Sequence, residues 1–158
     1  MMKHLFLYAA LLAAFTAQFF LSIYIAWTPD LVIAVVVFAG VFMGSMEAFY
    51  LGLAAGILRG VFSVNTLPVD LFIFPLAGVI SSVLTSVFYR YSAANQMFIV
   101  LLMSLGIVAA QTAYLDLISS NSTGFMCAAA GSWRTLLVTV AAAPIIFRYL
   151  RPLSREED

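Results

Sequence analysis

The sequence predicts an all-α integral membrane protein, a six-helix transmembrane bundle forming a single domain, and three observations predict it. Of the 158 residues, 65% are hydrophobic and 9% charged, against about one half and one quarter in soluble domains. Mean hydropathy is +1.10. The charges also fall at intervals, which matters because a charge at mid-bilayer is costly and tends to mark the end of a span. They stand at Lys3, Asp30, Glu47, Arg59, Asp70, Arg90, Asp116 and Arg134, then cluster from Arg148 to Asp158. Between Lys3 and Asp30 lie 26 uncharged residues, and between Arg90 and Asp116 lie 25. Each gap holds one helix of about 20 residues.

Taken in order, the first span covers residues 5–27, and Pro29 with Asp30 turns the chain after it. Apolar character persists past Phe20, so this span reads as an anchor rather than a cleaved signal peptide. Spans 31–46 and 48–62 are short, each covering only about 24 Å of a bilayer core about 30 Å thick, and are expected to form a tight hairpin turning near Glu47. Glu47 either caps that turn or pairs with Arg90. The fourth span covers 69–89, with Pro75 in its early turns, and the fifth covers 96–117. Ser119, Ser120, Asn121, Ser122, Thr123 and Gly124 then form a break dense in turn residues. Residues 124–131 read as a surface-lying or re-entrant piece, and the last span as 132–149 with Ser132 as its N-cap. The tail, 151–158, is polar.

Six spans put both termini on one side, which then holds Lys3, Arg90, Arg148, Arg151 and Arg155, five of the seven Lys and Arg residues. By the positive-inside rule the termini are cytoplasmic. Five spans would carry the tail arginines outside. The opposite face receives Asp30, Arg59, Asp70, Asp116 and Arg134, with Trp27 and Trp133 at the interface where indoles settle.

Composition excludes a soluble enzyme, and a net charge of zero offers no basic field for nucleic acid. Cys127 is the single cysteine, so neither an internal disulfide nor a thiolate cluster can form. It sits in a small-residue run and reads as packing. His4, the single histidine, lies beside Lys3 at the N-terminus. Phosphate-binding glycine loops, the HExxH motif and paired metal-ligand spacings do not occur. The chain therefore reads as non-enzymatic and free of cofactors. The fourteen phenylalanines and seven methionines fit either a lipid-facing surface or a bundle interior, which periodicity cannot separate.

Two patterns remain as candidate sites. Gly40 and Gly44, then Gly52, Gly56 and Gly60, recur at intervals of four, which places each set on one helix face. Glycine there lets two backbones approach closely in lipid. Internal packing is the expected use of that face, and a partner seam is the alternative. The second pattern is the outer charge layer Asp30, Arg59, Asp70, Asp116 and Arg134. Buried charges need partners, so structural pairing is expected, with Asp70 and Asp116 as chief partners of the two arginines. A solute-binding cup is the alternative.

The segment from Glu47 to Gly78 resembles the MreD family of rod shape-determining proteins. The residues that carry it are Gly52-Leu53-Ala54-Ala55-Gly56-Ile57-Leu58-Arg59-Gly60-Val61-Phe62-Ser63, then Leu67, then Phe74-Pro75-Leu76-Ala77-Gly78. In that family a short glycine-rich helix precedes a loop and a helix whose middle reads like this Leu-Ala-Gly. Size, span number, the Pro29-Asp30 turn and the basic tail agree as well. The family commonly has aspartate where Arg59 stands, so no role of that acid carries over. The resemblance implies no catalysis. It implies a fold similar to the S-components of energy-coupling-factor transporters, a place in the bacterial inner membrane, and MreC as partner. Through MreC it implies a link to the MreB filament, to RodA and to a penicillin-binding protein in peptidoglycan synthesis. The rival reading is a solute-binding component of a vitamin transporter of the energy-coupling-factor type.

Overall fold

A computed structural model describes residues 2–25, 28–62, 66–87, 92–118 and 125–150. Its elements are six α-helices: α1 (Met2–Tyr24), α2 (Leu31–Phe42), α3 (Ser45–Phe62), α4 (Leu67–Val87), α5 (Ala93–Ile118) and α6 (Phe125–Leu150). Five of them are long and apolar enough to cross a membrane, and α2, at 12 residues, is the short one. Trp27, Arg90, the break at 119–124 and the tail at 151–158, to which the sequence assigned interfacial, turn or basic roles, lie outside the described residues.

The short helix is the axis of the molecule. At 1.5 Å per residue α2 is only about 18 Å long, and every residue from Val32 to Val41 is buried. It touches each of the other five helices. A helix apolar on all sides belongs inside a bundle, and burial here overrides the modest helix propensity of its β-branched run Val32, Ile33, Val35, Val36 and Val37. Phe38 stacks edge-on with Phe147 of α6, ring centroids 5.5 Å apart, and Leu7 and Leu11 of α1 complete the core beside it.

The α2–α3 turn comes earlier than Glu47. Helix α2 ends at Phe42, and the backbone N–H groups of Met43 and Gly44 both donate to the Ala39 carbonyl, at 2.9 and 3.2 Å. Gly44 takes φ of 115°, a conformation glycine adopts without steric cost and one that ends helices. Gly44 is therefore a turn residue and not part of a helix-packing face, which corrects its place in the glycine pattern. Glu47 sits in the first turn of α3.

Other boundaries also differ from those read in the sequence, α1 among them, which ends at Tyr24 where the span read from the sequence reaches 27. Helix α4 begins at Leu67 with Pro68 as its second residue, where a missing N–H costs nothing, so Pro75 falls in the helix interior. Helix α5 begins at Ala93 instead of 96. Helix α6 runs unbroken from Phe125, so Ser132 lies inside it and caps nothing. The alanine run at 128–130 propagates the helix, and one glycine, Gly131, is a tolerable interruption.

Candidate functional site

Two constructions dominate the interior: a seam of glycines and a layer of polar side chains. The seam joins α3 to α4, the closest pair in the molecule, running antiparallel. A β-carbon added at Gly52 would lie 2.5 Å from the Phe74 carbonyl oxygen, one at Gly56 2.6 Å from that of Asp70, and one at Gly60 2.9 Å from Leu67. Gly78 answers from α4, where a β-carbon would stand 2.6 Å from the Ala48 carbonyl oxygen. On α2, Gly40 meets the Gly78 carbonyl and the Ser81 hydroxyl. Gly40, Gly52, Gly56 and Gly60 thus all abut α4, and in each case the chain itself fills the space that glycine leaves.

The polar layer is built around the start of α2. Asp30 is the N-cap of that helix, its Oδ1 accepting from the Ile33 backbone N–H at 3.3 Å. Such a cap gives an acceptor to one of the orphan N–H donors at a helix start. The Val32 N–H, another, donates to Gln18 Oε1 of α1 at 3.5 Å. The Asp30 backbone N–H donates to Thr139 Oγ1 of α6 at 2.8 Å, and that hydroxyl donates to the Thr135 carbonyl at 2.7 Å. Asp30 Oδ2 forms an ion pair with Arg59 Nη1 of α3. The guanidinium also lies 5.4 Å from the ring centre of Phe74 on α4, within cation–π range.

Asp70, fully buried on α4, is the second anion of the layer. Thr66 Oγ1 donates to its Oδ2 at 2.9 Å, and Gln111 Nε2 of α5 donates to its Oδ1 at 2.6 Å. The expected partnership of Arg59 with Asp70 is thus corrected: Asp30 holds the arginine directly. Asp116 is half-buried near the end of α5, and Arg134 is exposed on α6 with its guanidinium 5.4 Å over the Trp133 ring. The layer therefore centres on Asp30, Arg59 and Asp70.

Four participants escaped the reading from charges: Gln18, Thr66, Gln111 and Thr139. Together with Asp30, Arg59 and Asp70 they bring all six helices to the layer. Gln18, the one amide of α1, and Gln111, the one amide in the second half of α5, carried a legible signal, since such groups mark interhelical hydrogen bonds in membrane bundles. The threonines carried none, since a threonine can satisfy its hydroxyl on its own helix.

No protein-family model, curated protein or solved structure matches the chain.

Proposed function

We propose that this chain is a non-enzymatic scaffold of the bacterial cell-elongation machinery, placed in the inner membrane with both termini cytoplasmic. In this reading it binds MreC, helps organise peptidoglycan synthesis together with MreB, RodA and a penicillin-binding protein, and keeps a fold akin to the S-components of energy-coupling-factor transporters. The partner and the pathway rest on the resemblance of residues 47–78 to the MreD family. The observation that carries the scaffold over its rival is the direction of the polar groups. Asp30 is spent on Arg59 and on the start of α2, and Asp70 on Thr66 and Gln111. A solute site needs a few polar groups converging on a cavity. These converge on each other and clasp six helices.

The glycine seam is occupied by α4, so a partner helix packs on the outside of the bundle. Of the five long helices α1 is the least buried. The test is photocrosslinking in living cells at exposed Leu12, Val83, Leu102 and Leu137, with buried Val41 as an internal control. Capture of MreC from one or more of the exposed positions and none from Val41 is the expected result. Absence of MreC from every adduct would reject the assignment.

A further inference from the structure

A cavity of about 790 Å³ opens at the opposite end of α2 from the polar layer, about 18 Å away along that helix. It lies between Phe42, the last residue of α2, the first turn of α5, and the last two turns of α6. Its size falls in the range of about 300–1,000 Å³ typical of small-molecule sites. The walls are of two kinds. Phe42, Pro144 and Phe147 form an apolar side, while Gln96 brings an amide and Arg148 a guanidinium. Arg148 is the one charged residue among the described lining residues, and it brings a positive charge to the cavity.

A free phosphate compound would use Arg148 and leave the aromatic and proline wall wetted. A wholly apolar molecule would fill the wall and make no use of the guanidinium. An amphiphile with an anionic head uses both: arginine pairs with a phosphate through two parallel N–H donors, and basic pockets between helices at a membrane face take anionic headgroups. The cavity sits where helices begin and end, at headgroup depth for a bundle that crosses the membrane. We propose that it binds a phospholipid, with the phosphate on Arg148, the ester region near Gln96, and the first part of an acyl chain against Phe42, Pro144 and Phe147. The site depends on the multi-pass arrangement and is independent of the identity of any protein partner.

The test uses the full chain in a maltoside detergent, titrated with dioctanoyl phosphatidylglycerol and read by native mass spectrometry. Two control titrants separate the sources of affinity: dioctanoylglycerol, which lacks the phosphate, and glycerol 3-phosphate, which lacks the chains. A saturable single adduct is expected with the phospholipid, and neither control should match it. Arg148→Glu should weaken the adduct about tenfold or more, as loss of a charged hydrogen bond does. Arg148→Lys, which keeps the charge and loses the fork, should fall between the parent and Arg148→Glu. Ala93→Phe, which adds bulk to the cavity wall from an exposed position, should also weaken it. Undiminished binding to Arg148→Glu or Ala93→Phe would overturn the proposal, and so would equal binding of either control. All three substitutions are at exposed positions, and the parent unfolding temperature, measured alongside, verifies that each variant is folded.

Discussion

Arg59 is the residue on which most of the polar layer hangs, since it neutralises Asp30 where that carboxylate caps the central helix. Removing one member of a buried pair strands the other, at a cost of about 3 kcal/mol or more, while removing both is far milder. Arg59→Leu should therefore lower the unfolding temperature sharply. Adding Asp30→Asn should recover much of the loss, because asparagine caps a helix as well as aspartate does and carries no charge to strand. Thermal unfolding of both variants in detergent checks this, and rescue by Asp70→Leu instead would mean that Asp70 is the true partner. Gln111→Leu leaves Asp70 with Thr66 alone and should cost about 1–3 kcal/mol, measured the same way. The charged members of this layer were legible in the sequence because charges are rare in an apolar chain. Their pairing was not, because it depends on how far α2 sinks into the bundle and how α3 is rotated. Nothing local to Asp30 or Arg59 encodes either quantity.

At the scale of the element, the spacing of glycines by four specified a face, and the geometry shows what the face does. Side chains at Gly56 would be driven into the backbone of α4, and backbone cannot swing aside as a side chain can. Gly56→Leu should then cost about 3 kcal/mol, the upper end of what overpacking does, and even Gly56→Ala should destabilise. Gly106 on α5 is the control, since a β-carbon there meets nothing within 4 Å. Gly106→Ala should stabilise by about 0.5–1 kcal/mol through helix propensity. Parallel melts of the two alanine variants decide the matter, and equal effects would mean that the α3–α4 seam is looser than described. The helices themselves were legible from the gaps between charges, and the α2–α3 turn was misplaced by a few residues for a physical reason. Gly44 and Gly40 look alike at spacing four, yet one ends a helix by its positive φ and the other packs inside it. Spacing alone cannot separate a helix-ending glycine from a helix-packing one. The continuity of α6 was missed because Ser132 looks like a cap only when the alanine run before it is taken as a separate piece.

For the whole molecule, the uneven distribution of Lys and Arg predicts cytoplasmic termini. Single cysteines at Ser120 and Ser154 in a Cys127→Ser background should label from outside at 120 only, and labelling at 154 in intact cells would reverse the orientation. The scaffold proposal leads to a sharper expectation, because it and the transporter reading assign different work to the same charges. If the Asp30–Arg59 pair only holds helices together, any replacement that restores folding restores function. Loss of the protein should give rounded cells, Arg59→Leu should fail to correct them in proportion to its instability, and the Asp30→Asn, Arg59→Leu double variant should bring back rod shape along with its recovered melting temperature. If the pair instead held a solute, the double variant would fold and still fail, since the groups that recognised the ligand would be gone. Cell shape scored against unfolding temperature across these three strains separates the two: shape that tracks stability supports the clasp, and rounded cells containing a well-folded double variant would remove the scaffold reading in favour of a binding one.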